Sequence, residues 1–492
     1  MAGTQKPDGK PTGQRLGRWQ RTYDWFDRRT GIGSLMHEAL DEPIPGGARW
    51  AYVFGSVLLF LFISQTITGV FLALYYVPSA TSAHTTVAYI VKEVTGGSFL
   101  RSLHAYGSSA VVIVVLLHLT QTYLYGAYKG RRELLWISGC FLLALMLAMA
   151  FTGYLLPWDQ KAFFATTVGT NMASDIPFVG TWVKRFMRGG DEMGTLTVSR
   201  FFVAHVFVLP AVLIAFIASH VYLFRKAGAA GPPSEDPVNP KLPTERFYPK
   251  QVVMDTIVAL VMILILGSLA HFWPTELGPQ ANPADTQYVP RPEWYYLPIF
   301  QWLKYWRGPY AIFGIIVIPA VTAALLVLVP FIDRRLERRP WRRPIAVGVF
   351  MLILAGFVAM GLMSVRDDQR DPSIAKQVAK QREETNQFMR EQFEPEGAAS
   401  SISAPVVVAA LDPLAAAGKK VYEGESCDAC HGEGGGGTGV APKLAGAAQK
   451  PADELSNLLQ KPTQQMLDGG MQPVNVSDDD PKALIAYIKS LK

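Results

Sequence analysis

Apolar residues in this chain gather into seven long blocks. They lie near 50–76, 103–125, 135–156, 201–224, 252–272, 309–332 and 344–365. A block of roughly 20 apolar residues is long enough to cross a bilayer as a helix. After the last block the pattern changes. Residues 366–405 are polar and charged, with a helical pattern over 373–393. From about 406 the chain reads as a small soluble domain, with helical patterns at 412–425 and 479–492. The expected fold is therefore an all-α membrane protein with seven transmembrane helices and a small all-α C-terminal domain. The Pro-rich stretch at 232–243 breaks the membrane part into four helices and three. The expected boundaries are 1–230, 231–366, a linker at 367–405, and 406–492.

Composition agrees with this. Half of the 492 residues are hydrophobic and 17% are charged, against about 25% charged in ordinary soluble chains. The formal charge of +6 does not signal nucleic-acid binding, because the basic residues sit beside apolar blocks. They cluster at Arg15–Arg29, at 129–132, at Arg225-Lys226, and most densely at 334–343, where six of ten residues are Arg. With seven spans, these positions all fall on one side, which the positive-inside rule makes cytoplasmic. The C-terminal domain then lies on the outer, periplasmic side of a bacterial plasma membrane. The basic, polar N-terminus shows no removable signal peptide. Three cysteines, two of them in one short motif, exclude a disulfide framework.

Four histidines carry the candidate chemistry. His104 and His118 are 14 apart in the second block, and His205 and His220 are 15 apart in the fourth. These separations are about 3.9 and 4.2 helical turns, so each pair keeps roughly to one face, its members about 21 Å apart. Ionisable residues inside a bilayer are costly and usually functional, and imidazole is a common axial ligand to haem iron. Interhelical hydrogen bonding is the bland alternative, and two nearly matched pairs argue against it. The pairings expected are His104 with His205 and His118 with His220, clamping one haem near each membrane surface. Gly55 and Gly69 in block one, and Gly139 and Gly153 in block three, repeat the spacing of 14. A missing side chain would let a flat macrocycle approach the backbone.

The motif 427-CDACH-431 is the attachment signature of a c-type haem, with Cys427 and Cys430 as the thioether links and His431 as an axial ligand. A methionine downstream would be the second ligand. Met466 and Met471 are both available, and Met471 is preferred because 469-GGMQPV-474 can fold over a haem edge. Between blocks five and six, 292-PEWYY-296 sets a carboxylate among aromatics at the membrane surface. It reads either as an interfacial aromatic belt or as a proton acceptor for a bound hydroquinone.

Taken together, these residues resemble the cytochrome b family of quinol:cytochrome c oxidoreductases, more closely its b6 and subunit IV form, fused to a class I cytochrome c domain. The likeness extends to 23-YDWF-26, 65-QTITG-69, 132-REL-134, 152-TGYLLPWDQ-160 and 292-PEWY-295, and covers about residues 20–366. The histidine spacing of 15 in the fourth block is that of the b6 type; the mitochondrial type has 14.

This resemblance implies two non-covalent b-type haems, one covalent c-type haem and a quinone substrate. Arg101 would pair with a haem propionate. Glu293 would accept a proton at an outer quinol-oxidation site, with Pro292, Trp294 and Tyr295 of the same motif and Tyr154, Pro157 and Trp158 around it. Arg225 would stand near an inner quinone site. One electron would pass to a separate Rieske iron–sulfur protein and on towards cytochrome c or a terminal oxidase; the other would cross the membrane. A homodimer is implied. Leu61 occupies the position where the b6 type has a cysteine tethering a further haem, so that tether is not expected. His37, His84 and His271 match no ligand of the family and are read as solvent or interface residues. Two rivals are a b-type electron-transfer anchor without bifurcated quinol oxidation, and a plain membrane tether for a cytochrome c.

Overall fold

The computed structural model describes residues 17–236, 241–285 and 287–395. In the last part it describes 412–424, 427, 431, 444, 447, 450–468 and 480–491. The chain divides into two compact units, Met1–Glu396 and Gly397–Lys492.

Seven helices of the first unit are long and apolar enough to cross a membrane: Trp50–Ala73, Gly97–Leu124, Glu133–Tyr154, Thr195–Ala227, Lys250–Phe272, Gly308–Ile332 and Pro344–Arg370. They are called spans one to seven below. Their outward faces keep large apolar side chains exposed, among them Leu264, Leu352 and Leu362, which suits contact with lipid tails. The inward contacts are small and tight. Val57, Leu61, Ala110, Val111, Val114 and Leu266 form a core where spans one, two and five meet. A few polar links set the rotation of neighbouring spans. The Trp136 indole N–H donates to the Leu326 carbonyl at 2.8 Å and the Tyr123 hydroxyl to Ala346 at 3.0 Å. Bonds of this kind contribute about 0.6 kcal/mol each in a membrane, so they orient spans more than they hold them together.

The two ends of the bundle differ in chemistry. At one end the loops after spans two, four and six converge. Arg132 donates to the carbonyls of Ala227, Gly228 and Ala229, and Arg338 to those of Tyr125, Ala230 and Gly231. The Asp333 carboxylate is shared by Tyr128 and Lys129, each at 2.7 Å, and by Arg343 at 3.0 Å. Here the strands Pro43–Pro45 and Thr244–Arg246 pair antiparallel, a minor β element beyond the all-α expectation. Of the four basic segments read from the sequence, the three that are loops between spans thus meet at a single end.

At the opposite end the loop after span five runs against the entry to the helix Gln160–Ser174. Gln160 donates its N–H to Pro279 at 3.1 Å and Ala281 to Trp158 at 3.2 Å. Buried Asp159 caps that helix through Ala162 N–H at 2.8 Å and accepts Gly278 N–H at 3.2 Å. The helix Pro372–Arg390 also lies here. Lys92 donates to the carbonyls of Phe388 and Glu391 at 2.6 and 2.8 Å, and Leu277, Phe388, Met389 and Phe393 share an apolar cluster.

In the second unit the helices Pro413–Gly424 and Asp480–Ser490 cross closely. A Cβ on Gly418 would sit 1.9 Å from the Ala483 carbonyl oxygen, so only glycine permits the approach. Tyr422, Leu455, Leu459, Leu484, Tyr487 and Ile488 form the core, and Cys427 packs at its edge.

Candidate functional site

Spans two and four bring their histidines face to face. The rings of His104 and His205 are 6.3 Å apart between centroids, with planes 81° to one another. Two in-line metal–nitrogen bonds of about 2.0 Å would put imidazole centroids roughly 6 Å apart, so this gap fits one metal atom held on both sides. His118 and His220 likewise lie within electrostatic range of each other.

Span four achieves this despite its longer spacing. At 100° per residue, 14 residues fall about 40° short of four turns and 15 run about 60° past. The two pairs would therefore differ by one residue's rotation in regular helices. The difference is absorbed between the histidines, where Ala204–Val208 forms a π-helical turn. Such a turn inserts one extra residue into an α-helix and is frequent at functional sites. A second π turn, Phe313–Val317, occurs in span six. Each ends two residues before a proline, Pro210 and Pro319. Proline cannot donate to the carbonyl four residues back and crowds it; that carbonyl lies inside the π turn in both cases. Pro210 was the available sequence signal for the correction in register.

Every expected glycine lies beside a histidine. A Cβ on Gly69 would be 3.2 Å from His104 Cε1, and one on Gly153 would be 2.4 Å from His205 Cε1. The same atom on Gly139 would be 3.3 Å from His220 Cε1, and on Gly55 3.9 Å from His118 Cε1. Any larger residue at Gly153 would push the imidazole out of line.

The residue before the glycine supplies what the sequence reading missed. His104 Nδ1 is 2.9 Å from Thr68 Oγ1, His220 Nδ1 is 2.8 Å from Ser138 Oγ, and His205 Nδ1 is 3.3 Å from Thr152 Oγ1 and 3.0 Å from the Met149 carbonyl. Each hydroxyl already donates its proton to a carbonyl of its own helix, to Ser64, Leu135 and Ala148. It must accept from the imidazole, which places the ring proton on Nδ1 and leaves Nε2 with a free lone pair. Metal-bound histidines usually have such a partner behind them. The signal was the recurrent pair Thr68-Gly69, Ser138-Gly139 and Thr152-Gly153.

Among the described residues no three His, Cys, Asp or Glu side chains converge as a cage for a bare metal ion. Paired imidazoles supply two axial positions and nothing equatorial. That donor set fits a haem, whose macrocycle brings the other four.

The PEWY segment lies at the end of the bundle nearer His104 and His205. Arg101, three residues before His104, donates to the Thr275 carbonyl at 2.9 Å and to Glu276 at 3.1 Å, and lies within electrostatic range of Glu293. Its guanidinium thus ties span two to the loop that carries the acid. Glu293 accepts from Lys161 Nζ at 2.7 Å. The Tyr154 hydroxyl donates to the Arg291 carbonyl at 3.3 Å. Trp294 donates to Ser109 Oγ at 3.3 Å, and Arg291 pairs with Asp368. Tyr295 is buried, and burial pushes its hydroxyl well above the ordinary phenol range, so it stays protonated. Trp158 is buried with a left-handed backbone, φ 50°, set edge-on to Phe163.

Comparison with known proteins decides the family. Residues 39–228 match the family model of cytochrome b/b6/petB, 280–381 that of cytochrome b (C-terminal)/b6/petD, and 415–492 that of cytochrome c. Cytochrome b of Cereibacter sphaeroides is 33% identical over 361 residues, 68% of this chain and 81% of the relative. The chain belongs to the cytochrome b family.

Other relatives of this cytochrome b agree. The menaquinol:cytochrome c reductase cytochrome b subunit of Bacillus subtilis is 40% identical over 220 residues, 43% of this chain and 98% of the relative. Cytochrome b/c1 of Bradyrhizobium diazoefficiens is 33% identical over 72% of this chain, which spans about half of that relative (52%). A solved structure titled hyperthermophilic respiratory complex III superposes with a TM-score of 0.62 at 27% identity, over 74% of this chain and 96% of that one. The protein is thus a multi-pass membrane cytochrome b with a C-terminal cytochrome c domain, an electron-transport subunit of the bc type and part of an oxidoreductase.

Several expectations meet the structure unevenly. In the cytochrome c domain, Cys427 and His431 are described and Met466 sits in the short helix Gln464–Asp468. Cys430 and Met471 lie outside the described residues. Leu61 is fully enclosed in its core and presents no surface to a further haem. His84 was read as a solvent or interface residue, and the solvent reading does not hold. It is buried, with Nε2 2.8 Å from the Gly278 carbonyl and its ring 5.0 Å from Phe388, and burial draws its pKa below the ordinary value. Arg225 lies 3.5 Å from Glu42 in an ion pair. One acid went unremarked in the sequence. Asp255, inside span five, accepts from Ser56 at 2.7 Å and Gln251 at 2.9 Å. Ser56 adjoins Gly55, the neighbour of His118, so this carboxylate stands at the basic end, at about the depth of His118.

Proposed function

We propose that the chain is the fused cytochrome b/c subunit of a quinol:cytochrome c oxidoreductase that oxidises quinol at the PEWY end. His104 and His205 would hold one b-type haem near that end, and His118 and His220 another towards the basic end. The haems would supply one-electron carriers at two depths, so one electron of each quinol can recross the membrane while the other leaves through a separate Rieske iron–sulfur protein. Cys427, Cys430, His431 and Met471 would hold the c-type haem that receives the second electron on its way to cytochrome c or a terminal oxidase. The proposed domains are 1–230, 231–366 and 406–492, in a homodimer in a bacterial plasma membrane; of the expected linker 367–405, the helix Pro372–Arg390 packs on the membrane unit instead. The basic end faces the cytoplasm.

The observation that carries this reading is the location of Glu293. A carboxylate on an aromatic loop shares one end of the bundle with the His104–His205 clamp, and Arg101 links the two. Glu293 takes the proton of the quinol hydroxyl, the Tyr154 and Tyr295 rings flank the ring of the substrate, and Trp294 shields the site towards lipid. At the basic end, Asp255 and Arg225 are the groups suited to give a proton to, and orient, a quinone being reduced; an acid inside a span is functional by default.

Glu293→Gln tests the outer site. Quinol oxidation should slow by about 10²- to 10⁴-fold, the usual range for a lost general base, with all three haem spectra unchanged. Loss of b haem in this variant, or unchanged turnover, would remove Glu293 from the site.

A further inference from the structure

Lys161 was not singled out in the sequence, yet among the described residues it makes the one side-chain bond to the proposed proton acceptor. Its Nζ lies 2.7 Å from Glu293 Oε1, with the two side chains 44% and 32% exposed. The pair therefore borders water and is not sealed in the protein. The lysine is also well placed by its backbone. It sits in the first turn of the helix Gln160–Ser174, directly after the Asp159 cap, and Gln160 N–H is tied to the Pro279 carbonyl. Its Nζ is 5.6 Å from the centre of the Tyr154 ring. Tyr154 flanks the proposed substrate position, so the Lys161–Glu293 pair borders both that position and water.

We propose, resting on the quinol-oxidation reading above, that Lys161 is a positioning residue that fixes the Glu293 carboxylate, through the 2.7 Å bond to Oε1, at the water-bordered edge of the site. In the step this implies, the O–H bond of the quinol breaks, its proton goes to a Glu293 oxygen, and the accompanying electron goes to the separate iron–sulfur protein. Glu293 then releases that proton to outer water and re-forms its bond to Lys161.

The other groups facing Glu293 are Arg101 from span two, Tyr154 from span three and Tyr295 from its own loop. Arg291, two residues away, is engaged by Asp368. Arg101 is committed to the carbonyls of Thr275 and Glu276, so Lys161 is the cation that touches the carboxylate.

A reacting group displaced by about 1 Å can cost up to about 100-fold in rate, and without Lys161 no described side chain fixes the Glu293 carboxylate. The test is kcat and KM for quinol in the assembled complex, for wild type, Lys161→Met, Lys161→Gln and Lys161→Arg, each with and without Glu293→Gln. Both neutral variants should lower kcat about three- to tenfold with KM little changed, and the b-haem spectra should be those of wild type. Lys161→Arg should restore most of the rate, and no Lys161 change should matter once Glu293 is Gln. Unchanged kcat in both neutral variants, or a loss that persists with Glu293→Gln, overturns the role of Lys161. Unchanged turnover in Glu293→Gln alone overturns the site reading itself.

Discussion

A histidine can bind iron in line only if its ring is prevented from turning. Thr68, Ser138 and Thr152 do this by accepting the Nδ1 proton while spending their own on the helix behind them. The glycine that follows each of them lets the ring lie flat against the helix. Thr68→Val keeps the shape and removes the acceptor. It should weaken retention of the haem proposed at His104 by about 10- to 100-fold, as lost support behind a metal-bound histidine commonly does. Thr68→Ser should restore it. Haem titration of the apo-complex with a spectrum resolved for each b haem checks this; equal retention in the valine variant would show that the hydroxyl is a bystander. The histidines were legible as single residues because an ionisable group inside an apolar block is conspicuous. Their supports were not, since Thr and Ser are unremarkable in a membrane helix until a partner on another helix is known. The same reason hid Lys161 and Asp255, whose roles come from what faces them.

At the scale of elements, the seven spans could be read directly, because the length of an apolar run is a strong signal. The π turn could not. Counting 15 residues as an ordinary helix leaves His205 and His220 on one broad face but out of register with the other pair. Ala204–Val208 removes that mismatch. Deleting Phe207 together with Pro210→Ala should let this stretch close as a continuous α-helix with the histidines 14 apart. Both b haems should still bind. Inserting one alanine between His104 and His118, where no such turn exists, should displace one haem. If the deletion also lost a haem, the π turn would not be the compensating element. The helix Pro372–Arg390 was legible as a helix but not as part of the membrane unit, because its contacts with Lys92 and His84 join positions about 300 residues apart.

For the whole molecule, charge read along the sequence grouped the loops correctly. Those after spans two, four and six do meet, tied by Arg132, Arg338 and Arg343. The end carrying Glu293 is the other one. This polarity is what a bifurcating oxidoreductase requires, with quinol chemistry at one surface and a return path to the opposite one. The fusion to a cytochrome c domain was legible from CDACH alone, since no other short motif demands the same three side chains. Two bis-histidine haem sites at different depths are proposed to share one chain with a single covalent haem. The pyridine haemochrome of the purified protein, with its reduced-minus-oxidised spectrum, tests this directly. Two b-type haems are expected for every c-type haem, with His118→Ala or His220→Ala removing one b haem and sparing the other. A ratio of one to one, or full b-haem content in either variant, would contradict it.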